Sequence, residues 1–329
     1  MSQARWLAIV LVVGMLFTIR KPSTAQTLDK SVLNSTVWIS YEVPSLAADG
    51  GNLQSPQGAI PPRSTQSALF GGTGFLFFQG IGYSKGRVYL VTNTHVLPPE
   101  GREQDIKIRI AVRDQDGAAR IDVVSVPIVG HDGRYLDSVR VHPDPDTDVA
   151  AVNIAPEAFG AKFQLLIDAL ATGKYLNTSM LMTSDRIRYS GVGMGSPVYI
   201  VGFPDALFDP RNVSPVLRAG IVATDPREGF NFNQNLRRTI AFPEHVKGFL
   251  IDANIYPGSS GSLVVLGPDC RAEKSEDRKD TNGHPLILGI VAGSIPILDA
   301  ALRSYTRIGL GIVYSADAIR DVIRSFDRH

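Results

Sequence analysis

The chain has 329 residues, of which 44% are hydrophobic and 20% charged, a balance typical of globular proteins with one large or two small cores. Its 33 basic and 32 acidic residues give a net charge of +1, which provides no basic field for nucleic acid, so we expect no nucleic-acid partner. The single cysteine, Cys270, excludes an intrachain disulfide and a cysteine-based zinc site.

The N-terminus carries an uncharged apolar run from Trp6 to Ile19. This run is too short to span a bilayer as a helix but suits the hydrophobic region of a signal peptide. Small residues at Ser23–Ala25 fit a cleavage site, so residues 1–25 are predicted to be a signal peptide. Arg20 and Lys21 disfavour export, which leaves a short uncleaved membrane anchor as the alternative. In both cases we expect the mature chain outside the cytoplasm, either periplasmic or secreted.

Most of the remaining chain consists of short runs of alternating or β-branched residues, separated by turns rich in the 31 glycines and 21 prolines. These runs predict about a dozen strands. In chain order they cover residues 35–41, 69–78, 87–92, 106–112, 121–129, 149–154, 197–203, 216–223, 248–251, 263–266, 286–292 and 309–314. Residues 42–68 are predicted to form a long surface loop, and residues 267–284 a charged hairpin tip.

Residues 155–192 are predicted to connect two β-rich halves, with a short helix where apolar residues recur at helical spacing from Phe163 to Leu170. A second helix is predicted over residues 315–327, where Ser315 would be the N-cap. The whole pattern predicts an all-β fold of the sandwich or barrel type with a C-terminal helix.

The stretch Ile251–Val265 places Ser260 on a bend between Gly258 and Gly261. A substrate can approach a hydroxyl on such a bend closely, and glycines let backbone N–H groups turn towards it. Glycine, serine and proline are also the commonest turn residues, so this stretch alone fits an ordinary loop equally well.

A serine nucleophile needs a base that takes its proton, usually a histidine that is held by a carboxylate. Among the six histidines, His95 stands out because it closes a predicted strand, where the backbone would hold it rigidly. Asp148 lies directly before another predicted strand, where a carboxylate can be buried and aimed. Together with Asp144 and Asp146 it also resembles the start of a calcium loop, but the glycine and glutamate that such a loop requires are absent, and we expect no metal.

Three stretches resemble the catalytic blocks of trypsin-like serine proteases: Thr92–Val96, Asp148–Val152 and Asp252–Ser262. Their order along the chain, His, Asp and then Ser, argues against the α/β-hydrolase arrangement. The similarity is greatest to the disulfide-free bacterial branch that includes the HtrA (DegP-like) proteases. Two further stretches, Gly72–Phe75 and Gly289–Ser294, are similar to other blocks of that branch.

The resemblance covers residues 35–327 and implies two antiparallel six-stranded β-barrels with the active site in the cleft between them. The first barrel would span residues 35–154 and the second 193–314. We expect no PDZ module of the kind that HtrA proteases carry.

The resemblance also implies site residues. Ser260 would be the nucleophile, His95 the general base and acid, and Asp148 the orienting carboxylate. The backbone N–H groups of Gly258 and Ser260 would form the oxyanion hole, and Asn254 would line the floor of the specificity pocket. The substrate peptide would pair with the strand edge formed by Ala292, Gly293 and Ser294.

Several residues depart from the family pattern. Ser262 and Leu263 stand where glycine and proline are common, and Ala292 replaces a serine that donates to the triad carboxylate in many relatives. The uncharged Asn254 gives no support for cleavage after lysine or arginine. No activation site precedes His95, so we do not expect activation by a freed N-terminus.

These residues predict an exported serine endopeptidase that acts on protein or peptide substrates through an acyl-enzyme. The departures leave open a catalytically weak protein of the same fold that binds peptides, and an esterase would use the same residues. Membrane contact is expected only if the N-terminal segment stays uncleaved. The glycines of Gly191–Ser196 lack the full dinucleotide fingerprint, so we expect no cofactor.

Overall fold

The computed structural model describes residues 28–43, 68–79, 87–113, 119–154, 176–209, 211, 213–233, 243–267, 285–299 and 304–327. Several predicted features lie outside these residues: the signal peptide at 1–25, the helix at 163–170, and nearly all of the loops at 42–68 and 267–284. No helix among the described residues is long and apolar enough to cross a bilayer.

The first half begins with helix α1 (Lys30–Ser35) and forms an eight-stranded sheet. Its strands are β1 (Thr36–Val43), β2 (Ala68–Gln79), β3 (Arg87–Thr92), β4 (Gln104–Arg113), β5 (Ala119–Val129), β6 (Val139–Val141), β7 (Ala150–Ile154) and β8 (Leu176–Asn177). Seven of them are antiparallel neighbours in the order β5-β4-β1-β2-β3-β7-β6, and β8 pairs in parallel with β2.

Helix α2 (Ser184–Ser190) leads into the second half, which is a closed six-stranded barrel. Its strands are β9 (Pro197–Gly202), β10 (Val216–Val222), β13 (Gly248–Asp252), β14 (Leu263–Leu266), β15 (Ile287–Asp299) and β16 (Ser304–Ser315). Around the barrel they are neighbours in the order β10-β13-β16-β15-β14-β9. A separate two-stranded ribbon is formed by β11 (Phe230–Asn231) and β12 (His245–Val246). Helix α3 (Ala316–Arg324) and a 3-10 turn (Ser325–Asp327) follow; Ser315 stands at the N-cap, although its side chain makes no capping hydrogen bond.

The prediction of a predominantly β fold with a C-terminal helix is confirmed, and the second half is the six-stranded barrel that was expected. The expectation that residues 35–154 form a six-stranded barrel of their own is wrong. The first sheet has eight strands and stays open, because its edge strands β5 and β6 do not pair with each other in the described part of the chain. Strand β6 has only three residues, and a single bridge between Val129 and Tyr135 spans the turn that separates it from β5.

The alternation of side chains along β2 and β3 supplies two separate cores. Phe75 and Phe77 belong to a buried cluster that also contains residues of β14, β15, β16 and α3. Leu76 and Leu90 point the other way, into the interior of the first sheet. The first sheet, the barrel and α3 therefore share one apolar interface, and this interface fixes how the loops of the two halves face each other.

Candidate active site

His95 lies on a short 3-10 turn, Thr94–Val96, that follows directly on β3. The turn is anchored because Val96 and Leu97 are buried, whereas the side chain of His95 remains 50% exposed. The strand end thus presents an imidazole to solvent on a fixed backbone, as the sequence predicted.

Asp148 lies just before β7, which is the hydrogen-bonded neighbour of β3. Its Oδ1 accepts the backbone N–H of His95 at 3.1 Å, and its Oδ2 contacts Nδ1 of the same residue. The side chain of Asn93 donates to the Asp148 carbonyl at 2.6 Å. Both carboxylate oxygens therefore orient His95, and Nε2 is the ring nitrogen left to act on another group.

The neighbouring acids have other partners. The carboxylate of Asp144 pairs with Lys247 at 2.7 Å, and this hydrogen-bonded ammonium holds the pKa of Asp144 below its usual value. The carboxylates at 144 and 148 thus have different partners, Lys247 and His95. Within the described ranges, no three His, Cys, Asp or Glu side chains are grouped so that they could hold a metal ion.

A tight turn precedes the serine. The carbonyl of Tyr256 accepts the N–H of Ser259 at 3.0 Å, with Pro257 and Gly258 in the central positions. Gly258 has a φ of +79°, which together with proline at the preceding position is the signature of a type II turn. This turn requires glycine, because a Cβ at 258 would lie 2.6 Å from the carbonyl oxygen of Phe203.

A second turn carries Ser260 itself. The carbonyl of Ser259 accepts the N–H of Ser262 at 2.9 Å, and Gly261 has a φ of +84°. A Cβ on Gly261 would lie 1.8 Å from the carbonyl oxygen of Thr73, so β2 passes directly against this turn.

The backbone N–H groups of Gly258 and Ser260 have no hydrogen-bond partner among the described residues. In a trans peptide, the N–H points opposite to the preceding carbonyl. Those carbonyls are both anchored: that of Pro257 accepts the N–H of Asp205 at 2.6 Å, and that of Ser259 accepts Ser262. The two free donors are thus held in fixed directions beside a hydroxyl, an arrangement that can bind a developing oxyanion.

The hydroxyl of Ser260 donates to the carbonyl of Ala292 at 3.1 Å. Its hydrogen bond goes to this carbonyl and not to His95. The structure therefore joins His95 to Asp148 directly, and places Ser260 against β15.

Beyond Val291, strand β15 has one free edge in the described part of the chain. Its partner β14 pairs with it up to Ile290, whereas Gly293 and Ser294 pair only on the opposite side, with β16. The register shifts at Ala292, and the two residues that follow are half-buried. This edge can accept a further extended chain.

Asn254 is exposed, as is the ring of Tyr256 nearby. The backbone carbonyl of Asn254 accepts a hydrogen bond from Arg218 of β10. The role of Asn254 in a specificity pocket stays a prediction.

Residues 254–262, here called the serine loop, contact two buried or half-buried residues that the sequence did not single out, Arg218 and Thr73. Thr73 of β2 donates through Oγ1 to the carbonyl of Gly258 at 2.9 Å, and its N–H donates to the carbonyl of Ser260 at 2.8 Å. Its Oγ1 also accepts the N–H of Phe203 at 2.9 Å. The glycines beside Thr73 were the available signal, since glycine in a strand indicates a close approach of backbones.

Comparison with known proteins places this geometry in a family. The trypsin-like peptidase domain matches residues 72–269, more than half of the chain. None of the curated proteins matches the chain.

Three solved structures illustrate the range of similar proteins. An inactive form of a mutant of Rv3671c from M. tuberculosis H37Rv is 14% identical, with a TM-score of 0.41 over 89% of this chain and 87% of that one. The protease Anisep from Arthrobacter nicotinovorans is 11% identical, with a TM-score of 0.45 over 91% and 97%. The scabies mite inactivated protease paralogue S-I1 is 12% identical, with a TM-score of 0.40 over 92% and 99%.

The family match includes residues 72–79 of β2, His95, Asp148 and the whole serine loop, so the residues that resemble the catalytic blocks all lie within it. The chain belongs to the trypsin-like peptidase domain family.

Proposed function

We propose that this protein is an exported serine endopeptidase that hydrolyses peptide bonds through an acyl-enzyme. Ser260 is the nucleophile, His95 the general base and acid, and Asp148 the carboxylate that orients the imidazole. The observation that carries the proposal is the contact of His95 with both oxygens of Asp148, combined with a serine turn that holds two free N–H groups.

In the first step, Ser260 Oγ adds to the carbonyl carbon of the substrate while His95 Nε2 takes the hydroxyl proton. The carbonyl electrons move to the oxygen, which the N–H groups of Gly258 and Ser260 stabilise. The C–N bond then breaks, and His95 returns the proton to the leaving amine. Water repeats the sequence on the acyl-enzyme and restores the Ser260 hydroxyl.

The substrate chain pairs with the free edge of β15 at Gly293 and Ser294, next to Ala292. For the reaction to begin, Ser260 Oγ must leave the Ala292 carbonyl and turn towards His95 Nε2, which requires a rotation about one side-chain bond. Side-chain rotations of this kind are fast compared with peptide hydrolysis.

The hydrogen bond from Ser260 to the Ala292 carbonyl favours a second candidate function. If Ser260 stays bound to the Ala292 carbonyl, the protein binds peptides along β15 and turns them over weakly or not at all. This candidate predicts peptide binding without cleavage, with the same affinity in the wild type and in Ser260→Ala.

Labelling with a fluorophosphonate tests the nucleophile. We expect the wild type to carry the adduct on the peptide that contains Ser260, and Ser260→Ala to carry none. Ser196→Ala is the matched control, because Ser196 lies on the turn before β9 and accepts the N–H of Gly193, outside the site. His95→Ala should lower the rate of peptide hydrolysis by about three orders of magnitude or more.

Equal labelling of wild type and Ser260→Ala would contradict the assignment. Peptide binding with neither labelling nor cleavage of any member of a peptide library would favour the peptide-binding candidate. The intact mass of the protein that is exported for this experiment also shows whether residues 1–25 have been removed, as the signal-peptide proposal expects.

A further inference from the structure

Arg218 directs its guanidinium group at the loop that precedes the nucleophile. One terminal nitrogen donates to the carbonyl of Asn254, and the other donates to Oγ of Ser259 at 2.9 Å. The guanidinium carbon lies 5.7 Å from the centre of the Tyr256 ring. All three contacts fall within residues 254–259, so a single side chain from β10 touches this loop at both of its ends.

The contact with Ser259 acts on the turn itself. Oγ of Ser259 also receives the N–H of Tyr256 at 3.4 Å, while the N–H of Ser259 donates back to the Tyr256 carbonyl. The hydroxyl therefore ties Arg218 to the first and last residues of the turn that contains Gly258. Because Ser259 contributes the carbonyl of the peptide that carries the Ser260 N–H, its position also sets the direction of that donor.

The environment of Arg218 is costly for a cation. Its Nε is buried without a hydrogen-bond partner. The charge of Asp205 favours the cation, but burial outweighs it. Burial lowers the pKa of the guanidinium. An apolar side chain would avoid this desolvation cost, so what the arginine adds is its pair of hydrogen bonds to the loop.

We propose that Arg218 is a positioning residue that holds the 254–259 loop in the conformation in which the N–H groups of Gly258 and Ser260 point at the substrate. This inference rests on the proposed peptidase function for its catalytic consequence, but not for its effect on the loop. It implies that the oxyanion-binding donors are formed within the folded chain and need no cleavage elsewhere to order them.

The test compares Arg218→Met, which keeps the length and packing of the side chain but removes its donors, with Arg218→Lys, which keeps the charge. For Arg218→Met we expect kcat and the rate of fluorophosphonate labelling to fall about tenfold to a hundredfold, with KM within about twofold of the wild type. Arg218→Lys can reach one of the two acceptors, and should recover part of the loss.

Arg186→Met is the matched control. Arg186 likewise makes two hydrogen bonds, in its case to the backbone carbonyls of Ser179 and Leu181, but it lies on α2 outside the serine loop. We expect it to shift the melting temperature by as much as Arg218→Met does, and to leave kcat unchanged.

Hydrogen–deuterium exchange gives a readout that does not depend on turnover. In Arg218→Met the bonded amides of Tyr256 and Ser259 should exchange faster, whereas those of β13 and β14 should not change. Unchanged exchange across residues 254–262 would overturn the proposal, as would equal losses of kcat in Arg218→Met and Arg186→Met. If the wild type is neither labelled nor active, the peptidase function fails, and the exchange result alone decides whether Arg218 holds the loop.

Discussion

Gly258 determines the direction of one of the two free donors in the serine loop. Two features oppose a side chain at this position: its φ of +79°, and the carbonyl oxygen of Phe203, which would lie 2.6 Å from a Cβ. Gly258→Ala should therefore lower the free energy of unfolding by more than the roughly 1–2 kcal/mol of left-handed strain. Because the N–H would turn away from the substrate, kcat should fall by about a hundredfold. Chemical denaturation and the labelling rate measure the two effects.

Gly191 provides the control for this substitution. It has nearly the same φ, +77°, but a Cβ there would meet no atom within 4 Å. Gly191→Ala should lower the free energy of unfolding by the left-handed backbone strain alone, and it should keep the wild-type labelling rate. Equal loss of labelling in both variants would mean that the effect at Gly258 is not specific to the site.

The residues of the site differ in how far the sequence could predict them. His95, Asp148 and Ser260 each stand at a strand end or a bend that the local sequence marks, and the contact between the first two is present in the fold. Arg218 has no such mark, since it is one half-buried position in the ordinary alternation of β10. Its acceptors lie 36 and 41 positions further along the chain, a pairing that no local pattern encodes.

At the scale of elements, β2 supports the serine loop through Thr73. Thr73→Val keeps the shape of this fully buried side chain but leaves the Phe203 N–H and the Gly258 carbonyl without their partner. We expect the free energy of unfolding to fall by roughly 1–3 kcal/mol and the labelling rate to fall with it. Urea denaturation and labelling of the folded fraction measure the two losses separately.

Thr36→Val is the corresponding control in β1. Thr36 is also buried, and its hydroxyl donates to the Val32 carbonyl at the end of α1, outside the site. It should lose stability to a similar degree while the folded protein is labelled at the wild-type rate. A Thr73→Val protein that is less stable but fully reactive would show that β2 supports the fold and not the loop.

Strands β15 and β16 extend well past the ends predicted for them. The run of apolar residues ends at Ala292, and the following Gly293, Ser294 and Pro296 are typical of loops. In the fold, two register shifts, after Val291 and after Ser294, accommodate these residues within the strand pair. Pairing with β16, which the sequence of β15 alone cannot reveal, therefore overrides local propensity. The short strands β6, β8, β11 and β12 were not predicted for the same reason.

At the scale of the whole molecule, the segment that delivers Asp148 is fastened to the second half. Lys247 pairs with Asp144, and the hydroxyl of Tyr314 donates to the Asp146 carbonyl at 3.1 Å. Burial of that hydroxyl raises the pKa of Tyr314 to about 12, so it stays a donor at any ordinary pH. The orientation of the carboxylate thus depends on how the two halves dock.

His142 lies in the same segment, and its protonation should make the free energy of unfolding depend on pH. It is 6% exposed; Nδ1 accepts the N–H of Asp144, and Nε2 is buried without a partner. The charged groups around it are Asp144, Lys247 and Asp321 of α3. Burial lowers the pKa of His142 below the value of about 6.5 that it has in an unfolded chain.

The unfolded chain therefore binds this proton more readily than the folded one. The free energy of unfolding should be fully maintained above about pH 6.5 and should decrease as the pH falls towards the folded pKa. Urea denaturation between pH 8 and pH 5 measures the slope, and His142→Asn, whose Oδ1 can accept the same N–H, should flatten it. A slope unchanged in His142→Asn would contradict the assignment.

The overall architecture was predictable in one half and not in the other. Alternation identified most strands of both sheets, but closure of a barrel depends on whether its edge strands meet. In the first sheet that outcome depends on β6, whose three residues carry too little pattern to be recognised.

The hydrogen bond from Thr73 to Gly258 joins positions 185 residues apart. A ribosome that has released only the first sheet has released His95 and Asp148, but not Ser260 or the loop that carries it. The proposed catalytic residues therefore come together only when the late part of the chain folds back onto β2. We therefore expect the proposed peptidase activity to appear only after synthesis, once the unfolded segments that are most easily cut have folded.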